Sequence, residues 1–151
     1  MLASSDERVF VFHLLEGFVC VCLCVCVFVC FRGVGVDIDG ELCEKARRRV
    51  HRHGLDDMVR VEEKTFLGMD LMEATLVTIF LLPECMPLIK EEITRFLQGD
   101  PVGGVCRRVV TVHFPMGNGF VPAERDSLNS LYLYTKESLP PTETHTDTPA
   151  Q

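Results

Sequence analysis

The stretch that decides the fold is Gly33-Val-Gly-Val-Asp-Ile-Asp-Gly-Glu-Leu-Cys-Glu-Lys-Ala46, continuing through Arg47-Arg-Arg-Val-His-Arg-His53. Its first half is a short apolar run ending in acid. Its second half carries Leu42, Ala46 and Val50 at helical spacing, with charges on the remaining positions. Asp39 stands where a helix N-cap belongs, and Gly54 where a helix stops in the left-handed conformation. The stretch therefore predicts a strand, a sharp acidic corner and a helix.

The pattern repeats downstream. Met58-Val-Arg-Val-Glu62 predicts a second strand, and Phe66 to Leu71 a loop. Ala74-Thr-Leu-Val-Thr-Ile-Phe-Leu-Leu82 is a continuous apolar run, as a parallel strand covered on both faces requires. Pro83-Glu-Cys-Met-Pro87 breaks it. Leu88 to Leu97 predicts an amphipathic helix with Leu88, Ile89, Ile93, Phe96 and Leu97 inward. Arg107 to Phe114 and Leu128 to Tyr134 read as two further strands, and the Thr- and Pro-rich tail from Ser138 as disordered. Alternating strands and helices imply an α/β chain with a Rossmann-like, doubly wound sheet. In such sheets ligands bind beyond the carboxyl ends of the strands. That rule selects Asp37 and Asp39, the loop after Glu62, the turn Leu81-Leu-Pro-Glu84 and the segment after His113.

Composition narrows the functional classes. The 151 residues suffice for one core. With a net charge of -7, 15 basic residues face 22 acidic ones, which argues against a nucleic-acid partner. The one basic cluster, Lys45 to His53, reads as a solvated helix face. Five of the eight cysteines fall in Gly17-Phe-Val-Cys-Val-Cys-Leu-Cys-Val-Cys-Val-Phe-Val-Cys-Phe31. Alternating thiols lack the Cys-x-x-Cys spacing of a zinc site, so no metal is expected. This run admits three readings. A membrane segment would need Val9 to Phe31 to reach the roughly 20 apolar residues of a spanning helix, with Glu16 inside it. A signal peptide lacks a basic start and a small-residue cleavage site. A GT dinucleotide repeat, translated from an intron, yields Val-Cys-Val-Cys, and this reading is favoured. The domain expectation is an atypical segment over 1–32, an ordered domain over 33–135 and a disordered tail over 136–151.

Gly35-Val-Asp-Ile-Asp39 with Glu41-Leu-Cys-Glu-Lys-Ala resembles the second strand and helix of class I S-adenosylmethionine-dependent methyltransferases. Ala74 to Glu84, Arg108-Val-Val-Thr-Val-His-Phe-Pro-Met-Gly117 and Leu128 to Tyr134 are similar to the small mitochondrial and bacterial protein-lysine methyltransferases. The resemblance covers roughly Gly33 to Tyr134. It implies S-adenosylmethionine as cofactor, with Asp37 on the ribose hydroxyls, Thr65 where the family places an adenine-binding Asp or Asn, Phe66 either on the ring or in the ordinary core, and Leu82 beside the cofactor. Pro83 and Glu84 would form the acceptor turn. Glu84 reads either as positioning an ammonium group or as a helix-start charge, and His113, near the end of its strand, either as a polar wall of the pocket or as a satisfied core residue. The resemblance implies a protein lysine as substrate and a mitochondrial or cytoplasmic location; membrane association through residues 9–31 belongs to the membrane reading of the apolar run. The family's first strand and the Gly-rich cofactor turn that closes it are absent from the resemblance, because only Gly17 precedes Gly33. Cofactor affinity is therefore expected to be weak. A non-catalytic methyltransferase-like remnant and a membrane-tethered interaction protein stand as alternatives.

Overall fold

A computed structural model describes residues 8–12, 32–101, 104 and 106–141. Among these residues seven strands form one sheet: β1 Arg8–Phe12, β2 Arg32–Asp37, β3 Val59–Glu63, β4 Leu76–Ile79, β5 Arg108–Val112, β6 Glu124–Asp126 and β7 Leu131–Tyr134. Their order across the sheet is β3-β2-β1-β4-β5-β7-β6. The first five run parallel, while β7 pairs antiparallel with both β5 and β6. Helix α1 is Gly40–Arg52 and helix α2 is Lys90–Gln98.

The strand order reverses at β1. From β1 the chain steps outward to β2 and β3, then returns to β4 and steps the other way to β5. Right-handed crossovers therefore put α1 and α2 on opposite faces and open a crevice between the carboxyl ends of β1 and β4. This is the doubly wound, Rossmann-like architecture expected from the alternation of elements.

The sheet also holds an element that the sequence reading leaves out. Arg8-Val-Phe-Val-Phe12 is a central strand, in register with Arg32–Val36 on one side and Leu76–Ile79 on the other. A boundary at residue 33 separates this strand from the sheet it belongs to. Its β-branched and aromatic residues favour extended backbone, but they adjoin the long apolar run and are hidden by it. The Val/Cys run and the place of the Gly-rich turn fall within 13–31, outside the described residues. Among the described residues no helix is long and apolar enough to cross a membrane.

Other boundaries shift for local reasons. The apolar run at Ala74–Leu82 supplies only four strand residues, Leu76–Ile79. Its end turns away into a 3₁₀ segment, Pro83–Ile89, that starts with one proline and contains another. Proline at the first position fits a helix start, and Pro87 removes a backbone donor. The regular helix consequently begins at Lys90, and Leu88 is 57% exposed, not inward. On α1 the buried face is Cys43, Ala46 and Val50, with Leu42 only half-buried. β5 stops at Val112 where His113 turns to a positive φ, and the late strand begins at Leu131 because Asp126 to Ser130 form the turn of a hairpin. Lys136–Ser138 is a capped 3₁₀ turn with Ser138 buried, so the chain stays ordered past the expected start of the tail. The last ten residues lie outside the described part.

The core lies where the sheet meets α2 and the C-terminal loops: Val77, Ile79, Ile93, Phe96, Val109 and Tyr134 are all fully buried. Tyr134 Oη accepts from the Met116 amide at 2.9 Å, which ties the loop after β5 to β7.

A buried cation anchors the amino-terminal edge. Arg107 is 7% exposed. Its Nε donates to the Asp100 carbonyl and its Nη2 to the Met72 carbonyl, both at 2.9 Å. Its guanidinium lies 5.2 Å from the centre of the Phe96 ring. A Cβ on Gly99 would come within 3.0 Å of this guanidinium, so glycine at the end of α2 admits it. A cation at a helix C-terminus also complements the helix dipole. Arg107→Met should strand both carbonyls and lower stability by roughly 2–4 kcal/mol. Urea unfolding would read the loss, with Arg107→Lys recovering only part of it because the planar fork is gone.

Candidate functional site

The acidic corner after β2 is built by two aspartates with separate tasks. Asp37 ends the strand and is 4% exposed. Its Oδ1 accepts from the Asp39 amide at 2.8 Å, which fixes the orientation of the carboxylate. Asp39 is the N-cap: its Oδ1 accepts from the amides of Glu41 (2.9 Å) and Leu42 (3.1 Å). Such a cap contributes about 1 kcal/mol. The Lys64 amide donates to the Asp37 carbonyl at 2.9 Å, so the loop after β3 is held against the same corner.

Below the corner lies Cys43, fully buried on α1. Its Sγ donates to the carbonyls of Asp37 (3.6 Å) and Glu62 (3.7 Å). Burial, then the neighbouring Asp37 charge, push the thiol above its ordinary pKa. It is a packing residue that ties α1 to β2 and β3.

The β3 end carries a second acidic cluster. Glu62 accepts from Arg60 Nη2 at 2.8 Å and also pairs with Lys64 Nζ. The Lys64 hydrogen bond is the leading cause that holds Glu62 below the usual carboxylate range. Glu63 is exposed and sits beside the start of α1: a Cβ on Gly40 would meet its carboxylate atoms at 2.9–3.1 Å.

Of the residues singled out from sequence, Asp37, Thr65 and Phe66 share the β2–β3 side of the carboxyl edge. Thr65 is exposed, and its Oγ1 accepts from the Leu67 amide at 3.2 Å. Phe66 is half-buried and packs against the main core. Leu82, Pro83 and Glu84 stand together across the crevice, at the exit of β4. Leu82 is 54% exposed, Pro83 starts the 3₁₀ segment, and Glu84 is exposed. His113 is not a core residue. It is exposed at the exit of β5, and its ring stands edge-on to Phe80, with centroids 5.2 Å apart and planes at 77°.

Three rim residues escape the sequence reading. Ile38, directly after the fixed carboxylate, is 72% exposed, and Leu67 is 44% exposed. Both are apolar positions within a polar turn, the one signal that marks them. Phe80 reads as part of an apolar strand, and only the sheet register carries it past the strand end. Among the described residues no group of three or more His, Cys, Asp or Glu could hold a metal ion.

A carboxylate of fixed orientation, directly followed by the solvent-facing Ile38, suits a nucleoside: a sugar offers vicinal donors and a base offers an apolar face. No protein-family model matches the chain. A protein-lysine N-methyltransferase of Saccharolobus islandicus (strain REY15A) is 28% identical over 67 residues, which are 44% of this chain and 42% of that protein. The chain thus matches less than half the length of this curated relative. An RNA methyltransferase from Salinibacter ruber, solved in complex with S-adenosyl-L-homocysteine, superposes with a TM-score of 0.76 and 26% identity, over 91% of this chain and 86% of that one. A geranyl diphosphate C-methyltransferase from Streptomyces coelicolor A3(2), also solved with S-adenosyl-L-homocysteine, has a TM-score of 0.56 at 20% identity, over 73% of this chain and 39% of its own.

Because the folded pKa of Glu62 is depressed, its contribution to stability is present above the unfolded carboxylate pKa and is lost as pH falls through the folded value. Glu62→Gln should therefore flatten the acid limb of a stability-against-pH curve below about pH 4. Chemical denaturation at a series of pH values checks this.

Proposed function

On the premise that this chain carries the class I S-adenosylmethionine-dependent methyltransferase fold, we propose that it binds S-adenosylmethionine at the carboxyl edge of β1–β3 and methylates a protein lysine that enters beside β4. One observation carries the reading: Asp37 ends the strand next to the central one, buried and locked by the Asp39 amide.

In this reading Asp37 accepts from the two ribose hydroxyls, a task that needs an ionised carboxylate with two oxygens. Ile38 and Leu67 offer apolar surface to the adenine, Phe66 closes the pocket from the core side, and Thr65 faces the base edge with a hydroxyl already engaged by its own turn. Leu82 lines the floor across the crevice. The cofactor, when bound, supplies a methyl group on a sulfonium, open to in-line attack by a neutral nitrogen. The chain's own work is to align donor and acceptor and to keep water out. Pro83 stiffens the acceptor turn, and Glu84 orients the incoming ammonium before it loses its proton.

The lysine assignment is supported by charge as well as by the Saccharolobus islandicus relative. Asp37, Asp39, Glu63 and Glu84 crowd the edge, and Lys64 is engaged by Glu62. Such a rim attracts a cation and repels a polyphosphate. An RNA acceptor is the second reading, favoured by the extent of the Salinibacter ruber superposition.

Two experiments follow. Calorimetric titration of the full chain with S-adenosylhomocysteine should show binding, and Asp37→Ala should weaken it roughly ten- to hundredfold, as loss of charged hydrogen bonds does. No heat from the parent chain, or equal affinity in the variant, removes the cofactor assignment. Transfer of a labelled methyl group from S-adenosylmethionine should then mark protein and spare RNA in a mixed cell extract. Label confined to RNA replaces the lysine reading with the second one.

A further inference from the structure

Beside the acceptor turn stands an aromatic pair, the exposed His113 and the half-buried Phe80. His113 directly follows β5, with φ at 66°. Three non-glycine residues adopt positive φ among the described residues: His113, Asn118 and Ser130. Glycine adopts this conformation freely, whereas a residue with a side chain holds it at a cost of about 1–2 kcal/mol. The chain keeps it there by donating the His113 amide to the Ser130 carbonyl at 2.8 Å, at the start of β7. Nothing in the core requires the imidazole, because the side chain is exposed. The strained backbone instead projects the ring over the edge of the sheet, against Phe80. Phe80 directly follows β4, two residues before the Leu82-Pro83-Glu84 turn.

The geometry of the pair selects its ligand. Two rings meeting at 77°, one half-buried and one exposed, form a corner of aromatic carbon that also bears an imidazole. They do not form the parallel slot that would sandwich a nucleobase. A face of aromatic carbon attracts a cation, an imidazole nitrogen accepts from an N–H, and the acidic rim adds long-range attraction. Building on the methyltransferase reading above, we propose that Phe80 and His113 form the wall that recognises the alkylammonium side chain of the acceptor lysine.

The test follows the ring signals of His113 and Phe80 by NMR in the full chain, with N-acetyl-lysine methyl ester as the probe. Both rings should shift saturably, and N-acetyl-norleucine methyl ester, which lacks the ammonium, should leave them in place. His113→Asn and Phe80→Leu should each weaken probe binding about fivefold or more. His113→Asn and His113→Gly should melt at or above the parent temperature, since both residues accept the left-handed conformation. S-adenosylhomocysteine affinity should be unchanged in His113→Asn. The proposal is overturned if the rings do not respond, if norleucine or adenosine monophosphate moves them equally, or if His113→Asn melts lower, which would make the histidine structural. Failure of the parent chain to bind S-adenosylhomocysteine would strike the cofactor reading alone, because the ring titration is read without it.

Discussion

Everything at the carboxyl edge depends on parallel pairing of one five-residue strand with two neighbours. β1 hydrogen-bonds to β2 on one side and to β4 on the other, and the chain winds away from it in both directions. Remove that strand and β2 with β3 becomes a separate pair from β4 with β5, with no shared edge and no crevice. Each rim group is placed by the exit of its own strand. Asp37 leaves β2, Glu63 leaves β3, Phe80 leaves β4 and His113 leaves β5. The sheet converts a spread of some 76 residues in sequence, from Asp37 to His113, into one line of side chains.

The two halves of that line differ in chemistry. On the β2–β3 side, carboxylates are fixed by amides and by neighbouring cations: Asp37 by Asp39, Glu62 by Arg60 and Lys64. On the β4–β5 side the groups are aromatic or apolar, with Glu84 as the exposed acid. A polar, oriented half suits a ligand with sugar hydroxyls. A half made of ring faces and a proline turn suits a side chain that must be aligned and partly stripped of water before it reacts.

Much of this was legible in the residues themselves. Gly35 to Ala46 gives strand, acidic corner, cap and helix almost to the residue, because each signal is local: an apolar alternation, an N-cap aspartate, a helical stripe. The carboxyl-edge rule then singles out Asp37, the β3 loop, the Pro83 turn and His113 without any coordinates. What stayed hidden was set by context. β1 is short and adjoins an apolar run of quite different character, so its pattern has no visible ends. Ala74–Leu82 is apolar throughout, and apolarity does not say where a strand leaves the sheet. Leu88 follows a helical stripe but falls in a segment wound too tightly for that stripe to apply. β6 is three exposed residues, Glu124–Asp126, with no burial to leave a trace in the sequence.

The position of Arg107 has a consequence for how variation in this chain would be felt. Its clamp sits at the opposite end of the sheet from the rim, where Met72, Asp100 and Phe96 converge. Damage there touches no reacting group. It raises the fraction of molecules that open and meet the cell's proteases, and so reduces the amount of protein present. A phenotype arising at that end would look like low dosage, with every surviving molecule as competent as before.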